Sequence, residues 1–291
     1  MILIQLTGGL GNQMFQYAMG RSLALQKKTS LRLDLSYLAK GTKRQYGLGA
    51  FAIKAEFAPP LYDVLLKLAD LPFGRRIGVF GMQFASRGAI QYVMDSESGF
   101  DNSVHSLTGS LIVRGYWQSE KYFLNNATVI RSDFQFRAPP TVENAKYLER
   151  IGGVTSVAVH VRRGDYVSNA RTNCIHGTCS AGYYVASANI MRQKVGDLKY
   201  FVFSDDPDWA ERNLHLPGPT EIVRINHGRA DFEDMRLMSA CKHFIIANSS
   251  FSWWAAWLGV HPGKVVIAPK RWFSIHHADT RDLLPDTWIK V

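Results

Sequence analysis

Short apolar runs alternate with helix-like segments along most of the chain. The runs "MILIQL", "SLRLDLS", "SVAVHV", "KYFVFS", "HFIIA" and "KVVIA" have the length and apolar character of buried strands, and helical patterns lie between them. Parallel strands need such crossover connections. A proline pair, Pro139 and Pro140, interrupts the order. The sequence therefore predicts an α/β fold with two Rossmann-type doubly wound domains, 1–140 and 141–291, facing a central cleft. Residues 59–81 predict one short helix and a turn.

Composition limits the class of protein. The chain has 291 residues, of which 46% are hydrophobic and 12% aromatic, as in folded, core-forming proteins. The formal charge of +10 favours encounter with an anionic small molecule, an anionic membrane surface or nucleic acid, without choosing among them. The N-terminus lacks signal-peptide features, no apolar run reaches the ~18 residues of a spanning helix, and cysteines number three. We therefore expect a soluble cytoplasmic protein.

The loop "TGGLGNQ" joins the first strand to the first helix. Gly9 and Gly11 would let a phosphate or sugar approach the backbone, with helix N–H groups at hand. Asn12 and Gln13 are predicted to point into the cleft. Asp34, at the end of the second strand, resembles the ribose-binding acid of a nicotinamide site, although Met14 replaces the third glycine of that fingerprint. The loop is either a ligand site or merely a tight turn.

The stretch "VHVRRGDYV" places charges directly after an apolar strand. In open α/β sheets ligands bind beyond the carboxyl ends of strands, so His160 and Arg162 are predicted to face a ligand from there. An arginine fork suits a diphosphate because it binds two oxygens and keeps its charge without a metal. Arg163 would hold the loop, through Asp165 in one interpretation. The alternative is an arginine–aspartate pair that only staples a turn.

Two further strands end in polar loops. Asp205, at the end of "YFVFS", is placed to accept hydrogen bonds from a purine, whereas Asp206 to Asp208 are predicted to form a turn and helix cap. In "NSSFSWW", Ser249, Ser250 and the Phe251 N–H lie where a helix N-terminus would hold phosphate oxygens. An ordinary serine cap is the alternative. The tryptophans after Phe251 are predicted to be core.

The stretch "CIHGTC" offers three possible zinc ligands, Cys174, His176 and Cys179. Structural zinc needs four ligands, and the sequence shows no fourth. We favour a role for His176 as a residue that faces the cleft. For His227, both roles, metal ligand and residue facing the cleft, stay open. The proline within Asp206-Pro-Asp208 also makes that stretch a poor cation motif. No metal site is predicted.

Five stretches, in order, resemble one family. "GGLGNQMFQYAMGRSLA", "VAVHVRRGDYV", "HGTCSAGYY", "YFVFSDDPDWA" and "MSACKHFIIANSSFSWWAAWLG" closely resemble the α-1,2-fucosyltransferases of glycosyltransferase family 11. The resemblance implies a GT-B-like fold and GDP-L-fucose as donor substrate, with no cofactor. It also implies inverting, metal-independent transfer to the 2-hydroxyl of a terminal galactoside in a bacterial surface oligosaccharide such as O-antigen.

The resemblance also implies roles for single residues. Arg162 would hold the β-phosphate, while His160 and Asp205 would contact guanine. Ser249, Ser250 and Phe251 would line the phosphates. From the motifs themselves, apart from the resemblance, we also expect Gly9, Gly11 and Arg163 in the donor site. Asn12 would approach the reacting sugar, and Asp165 is the predicted base, unless it only braces Arg163.

We also have expectations about the acceptor site and about where in the cell the protein acts. His176 and Tyr166 would lie on the acceptor side. Animal members carry an N-terminal membrane anchor, whereas this sequence begins at the first strand, which suggests a bacterial enzyme whose positive charge favours peripheral contact with the inner membrane. Nucleic acid is not an expected partner. A non-catalytic nucleotide- or glycan-binding module is the alternative function.

Overall fold

The computed structural model describes residues 1–39, 44–59, 90–95, 99–226, 228–274 and 279–291, without the side chains of 165, 168, 170–172 and 229. The helix and turn predicted for 59–81 thus lie, from residue 60 on, outside the described residues, as does His227. The chain divides into two compact units. Unit 1 is Met1–Arg137 with Arg281–Leu283, and unit 2 is Ala138–Thr280 with Leu284–Val291.

Unit 1 contains a parallel five-stranded sheet of order β3-β2-β1-β5-β4. Its elements are β1 (Ile2–Gln5), α1 (Leu10–Gln26), β2 (Leu31–Asp34), α2 (Ser36–Ala39), β3 (Glu56–Phe57), β4 (Ile90–Met94), β5 (Ser110–Arg114) and α3 (Ala127–Asp133). Short 3-10 turns lie at Leu48–Ala50, Asn102–His105, Glu120–Tyr122 and Leu124–Asn126. Because all strands run parallel, the loops after β1, β2, β4 and β5 lie at one edge of this sheet.

Helix α1 packs tightly on the sheet of unit 1. A Cβ atom at Gly20 would lie 2.4 Å from Ile4 Cγ1 on β1, closer than real contacts allow. Every residue of β1 is buried, as its continuous apolar sequence predicts. This close contact fixes the position of the middle of α1 on β1.

Unit 2 contains a parallel six-stranded sheet of order β11-β10-β9-β6-β7-β8. Its strands are β6 (Ser156–Val161), β7 (Lys199–Ser204), β8 (Thr220–Val223), β9 (His243–Ile245), β10 (Val266–Ala268) and β11 (Ile289–Lys290). Its helices are α4 (Val142–Gly152), α5 (Gly164–Ser168), α6 (Ala170–His176), α7 (Ala181–Val195), α8 (Pro207–Asn213), α9 (Asp231–Ala240) and α10 (Ser250–Leu258), and a 3-10 turn lies at Gly228–Ala230. The predicted α/β class with two parallel, helix-flanked sheets is confirmed.

The core of unit 2 surrounds the central strand. Every residue of β6 is buried, and Val157 and Val159 pack in one cluster with Tyr184 and Met191 of α7. Trp253, Trp254 and Trp257 of α10 are at most 3% exposed, so these aromatics are core residues as predicted. Among the described residues, no helix has the length and apolar character needed to cross a membrane.

Candidate functional site

The loops that follow three neighbouring strands of unit 2 meet at one edge of its sheet. Strand β6 pairs in parallel with β7, with Val161 opposite Ser204, and with β9, with Val159 opposite Ile245. His160 and Arg162 at the end of β6 therefore lie beside Asp205 after β7 and Ser249 after β9. The described parts of these loops bring the residues predicted from three separate motifs together.

Arg162 and Asp205 form an ion pair at this edge. Arg162 Nη1 lies 2.9 Å from Asp205 Oδ2, and the two side chains are 24% and 27% exposed. Asp205 Oδ1 also accepts a hydrogen bond from the backbone N–H of Arg163, at 2.8 Å. A Cβ atom at Gly164 would lie 2.5 Å from Asp205 Oδ2, so the loop approaches the carboxylate as only glycine allows. Asp205 thus positions Arg162 and its loop; the predicted guanine contact stays a prediction.

The side chain of Arg163 is anchored away from Asp205. Its Nε lies 3.1 Å from Asp206 Oδ2, and its Cζ lies 4.1 Å from the centre of the Trp209 ring. Asp206 also caps α8 by accepting a hydrogen bond from the Trp209 N–H, as the turn composition predicts. Arg163 therefore holds the loop, through Asp206 and Trp209. Its predicted contact with the donor stays a prediction, as does the role of Asp165, whose side chain lies outside the described residues.

His160 is a buried, neutral imidazole. It is 6% exposed, and its ring centre lies 5.6 Å from that of Phe251. Burial, helped by the Arg162 charge and opposed by Asp205, lowers the pKa of His160 to about 4. Its Nδ1 has no hydrogen-bond partner among the described residues. A buried polar atom of this kind is suited to a ligand's hydrogen-bonding group.

Asn248, which the sequence did not single out, organises the loops around this site. The amide is 3% exposed, and its Nδ2 donates to the carbonyl oxygens of His176, at 2.9 Å, and Trp272, at 3.1 Å. Its backbone carbonyl accepts from the Tyr166 hydroxyl at 3.2 Å. A polar residue directly after a buried strand was the available signal, because a buried amide must satisfy its hydrogen bonds.

Tyr166 and His176, both predicted on the acceptor side, stack on each other. Their ring centres are 4.8 Å apart and their planes are inclined by 8°. Arg162 Cζ lies 5.5 Å from the centre of the Tyr166 ring. Tyr166 therefore connects Arg162 to His176 within unit 2, and both predicted residues lie at the same edge of the sheet.

The N-terminus of α10 lies at this edge as well. Ser249 occupies the position before the helix, but its side chain makes no capping hydrogen bond, and the first turn contains no acidic residue. An α-helix leaves the N–H groups of its first turn without an acceptor four residues earlier in the helix, and the Phe251 N–H belongs to this turn. The arrangement attracts an anion through these groups and the helix dipole. It differs from the alternative of an ordinary serine cap.

A cavity of about 230 Å³ adjoins the site. Its lining includes His176, Cys179, Tyr183, Asn248 and Arg271. Burial raises the pKa of the Cys179 thiol to about 11, and this thiol donates to Asn248 Oδ1 at 3.6 Å. The part of the chain that the structure describes contains no group of three histidine, cysteine or acidic residues that could hold a metal ion.

In unit 1 the glycine loop carries one predicted residue that faces inward. Gln13 is fully buried and donates to the carbonyl oxygens of Gly8 and Gln45, at 3.0 and 2.8 Å, so the prediction that it points into a cleft is wrong. Asn12 Oδ1 accepts from Gln118 Nε2 at 2.9 Å. Gly9 precedes α1, and Gly11 is buried in its first turn. The predicted ligand contacts of Asn12, Gly9 and Gly11 stay predictions.

Asp34 does not have the environment of a ribose-binding acid. It is 3% exposed, and its Oδ2 accepts from Gln5 Nε2 at 2.9 Å and from the Ser36 hydroxyl at 2.8 Å. Its Oδ1 accepts the Ser36 N–H at 3.0 Å. Because both oxygens are engaged inside unit 1, the nicotinamide alternative loses its main support.

Comparison with known proteins assigns the family. The profile of glycosyl transferase family 11 matches residues 94–291, which include the whole of unit 2's sheet edge. The chain belongs to glycosyltransferase family 11. It is therefore a transferase, and the alternative of a non-catalytic binding module no longer holds.

Full-length relatives of this family 11 protein occur in bacteria. An Escherichia coli alpha-1,2-colitosyltransferase is 35% identical over 100% of the chain and 98% of its own length. The Escherichia coli O-antigen biosynthesis glycosyltransferase WbnK is 30% identical over 98% of the chain and 99% of its own length. The galactoside 2-alpha-L-fucosyltransferase SEC1 of Bos taurus is 28% identical over 50% of the chain and 41% of its length.

Solved structures agree with the fold. The NodZ alpha-1,6-fucosyltransferase soaked with GDP-fucose matches with a TM-score of 0.53 and 16% identity, covering 88% of this chain and 91% of that one. A mutant of Arabidopsis thaliana FUT1 in complex with GDP matches with a TM-score of 0.55 and 14% identity, covering 92% and 70%. At these identities the likeness shows the GT-B-like fold.

Proposed function

We propose that this family 11 enzyme transfers L-fucose from GDP-L-fucose to the 2-hydroxyl of a terminal galactoside, with inversion and without a metal ion. The observation that carries the proposal is the edge of the unit 2 sheet. There the Arg162–Asp205 pair, a neutral buried His160 and the uncapped N-terminus of α10 lie together. These groups match the parts of a nucleotide diphosphate.

The diphosphate would bind to Arg162 and α10. Asp205 holds one side of the Arg162 guanidinium at 2.9 Å, and the planar fork can direct other N–H groups to phosphate oxygens. The N–H groups of Ser250 and Phe251 at the start of α10 supply uncharged donors. Together they would neutralise a diphosphate without a cation.

His160 is suited to the base of the nucleotide. Its pKa of about 4 keeps the imidazole uncharged at neutral pH, so it can exchange one hydrogen bond with a guanine edge through Nδ1. The Phe251 ring beside it supplies an apolar neighbour. The resemblance of GDP-bound fucosyltransferase structures in fold supports guanine as this base.

The proposed mechanism depends on where charge develops in the transition state. As the bond between fucose C1 and the phosphate oxygen breaks, positive charge grows on the sugar ring and negative charge on the β-phosphate. Arg162 and the α10 N–H groups would stabilise this negative charge more in the transition state than in the ground state. The acceptor hydroxyl attacks C1 from the opposite face and loses its proton to a base, proposed to be Asp165. Asn12, Tyr166 and His176 are proposed to orient the acceptor.

The activities for which these relatives are named support the linkage. The bacterial colitosyltransferase and the animal galactoside fucosyltransferases share the alpha-1,2 designation. The name of WbnK places that relative in O-antigen biosynthesis. A bacterial surface oligosaccharide ending in galactose is therefore the acceptor that we propose.

Colitosyl transfer is the second candidate, because the colitosyltransferase is 35% identical over the whole chain. Colitose is L-fucose without the 3-hydroxyl. A site built to hydrogen-bond a hydroxyl discriminates strongly against an analogue that lacks it. We expect kcat/KM for GDP-fucose to exceed that for GDP-colitose by at least about tenfold. Initial rates of GDP release with both donors and one galactoside acceptor test this, and the reverse preference would support colitosyl transfer.

Activity is expected to survive the removal of divalent cations, because Arg162 and α10 supply the charge stabilisation that a metal gives other enzymes. Transfer rates in excess EDTA should equal those in buffer with Mg²⁺ or Mn²⁺. A loss of activity in EDTA that added cation restores would refute metal independence. A metal-dependent glycosyltransferase assayed alongside would show that chelation was complete.

A further inference from the structure

The loop after β5 has a strained backbone that presents one tyrosine outward. Gly115 has φ of 131° and Trp117 has φ of 54°, in the left-handed region that bulky residues rarely adopt. Between them Tyr116 is 48% exposed, while the Trp117 side chain is 1% exposed. Strained backbone of this kind persists where the surrounding structure holds it, and it concentrates at functional sites.

Asp95, directly after β4, holds this loop in place. Its Oδ2 accepts the N–H groups of Tyr116, at 3.1 Å, and Trp117, at 2.8 Å. A Cβ atom at Gly115 would lie 2.1 Å from Asp95 Cβ, so the close approach requires glycine. Buried Gln16 connects the same loop to the glycine loop after β1, because it donates to the Gly115 carbonyl at 2.9 Å and accepts the Thr7 N–H at 3.0 Å.

Polar groups and a second tyrosine surround Tyr116. Tyr37 of α2 is 43% exposed. Burial raises the pKa of the Tyr116 hydroxyl, Tyr37 raises it further, and the Arg44 charge lowers it. Arg44 also lies beside the glycine loop, because a Cβ atom at Gly9 would be 3.8 Å from Arg44 Nη1. Gln118, two residues after Tyr116, donates to Asn12 Oδ1 at 2.9 Å. All five residues belong to unit 1, at the carboxyl edge of its sheet. We call Tyr37, Tyr116, Arg44 and the Asn12–Gln118 pair the tyrosine platform.

We propose that the tyrosine platform is a saccharide-binding site, which takes a neutral hexopyranose ring of the acceptor. A pyranose has an apolar C–H face and a rim of hydroxyl groups. A half-exposed tyrosine ring covers the first, and amide and guanidinium groups bind the second. The carboxylate nearest the loop, Asp95, is engaged by the backbone, so it does not compete for the sugar hydroxyls.

This assignment rests on the proposed function for the choice of sugar, a β-galactoside. Lactose is the probe, and binding is measured by saturation-transfer NMR, separately from GDP binding by thermal shift. Tyr116→Ala is expected to weaken lactose binding about tenfold. GDP binding should stay within about twofold of wild type, since the platform lies in unit 1 and the diphosphate groups lie in unit 2. Tyr116→Phe keeps the ring and should retain most of the affinity.

Leu124→Ala is the matched control, because Leu124 is a 52% exposed apolar residue of unit 1 outside the platform. If Tyr116→Ala fails to fold, Tyr37→Ala on α2 takes its place with the same expected loss. Unchanged lactose affinity in the folded variant, or no lactose binding by the wild type, would overturn the platform. Lactose binding lost by Tyr116→Ala in a protein that never turns over GDP-fucose would support the platform and contradict only the proposed transfer.

Discussion

Replacing Arg162 by alanine is expected to lower kcat/KM for transfer by about 10³-fold or more, because the leaving diphosphate loses its charged donor. The fold should survive, since Arg162 follows β6 in a loop and Asp205 keeps its hydrogen bond from the Arg163 N–H. Steady-state kinetics with GDP-fucose and a thermal melting curve measure the two effects.

Two variants control this experiment. Arg162→Lys keeps the charge but loses the planar fork, so its activity should fall between those of the wild type and the alanine variant. Arg163→Ala removes a neighbouring charge that Asp206 and Trp209 hold away from Asp205, and it should cost less activity. Near-normal turnover by Arg162→Ala would contradict the proposed diphosphate site.

The isosteric change Asp205→Asn is expected to lower kcat/KM by about 10²-fold. The amide oxygen can still accept the Arg163 N–H, but the amide nitrogen would face Arg162 Nη1, donor against donor. Arg162 would therefore lose its orientation while the loop keeps its backbone hydrogen bond. Transfer kinetics and GDP titration measure the loss.

Guanosine, which lacks phosphates, separates the two roles available to Asp205. If Asp205 acts through Arg162, the asparagine variant binds GDP more weakly than the wild type but binds guanosine equally well. If Asp205 contacts guanine, as the sequence suggested, guanosine binding weakens too. Equal GDP affinity and equal activity in the variant would exclude both roles.

The two parallel sheets could be predicted from the sequence because strands that are buried on both faces have continuous apolar sequences. The runs "SVAVHV" and "KYFVFS" became β6 and β7 over the same residues. Parallel pairing then places the ends of neighbouring strands together, so Arg162, Asp205 and Ser249 could be assigned to one edge from local motifs alone.

The partners of each charged side chain could not be predicted, because they depend on angles between loops that no local pattern records. Asp205 pairs with Arg162, and Arg163 turns to Asp206 and Trp209. Gln13 was predicted to point into the cleft, but it donates to backbone carbonyls of unit 1. Most of these contacts join residues more than 30 positions apart in sequence.

Asn248 shows a second limit. In the sequence it is one polar residue that interrupts an apolar run. In the structure its amide nitrogen donates hydrogen bonds to a carbonyl oxygen at the end of α6 and to another in the loop after β10. The strained backbone at Trp117 could not be predicted from the sequence either. A tryptophan rarely adopts a left-handed conformation, and here the hydrogen bond from its N–H to Asp95 holds it there.

The structure of the product tests the central claim most directly. The enzyme would be incubated with GDP-L-fucose and, separately, lactose, N-acetyllactosamine, a type 1 chain and Galβ1,3GalNAc, and each product examined by NMR. We predict one new α-L-fucosyl residue, with the glycosylation shift at galactose C2 and one GDP released per product. A β linkage, attachment at another hydroxyl, or no GDP release with any of the four acceptors would contradict the account.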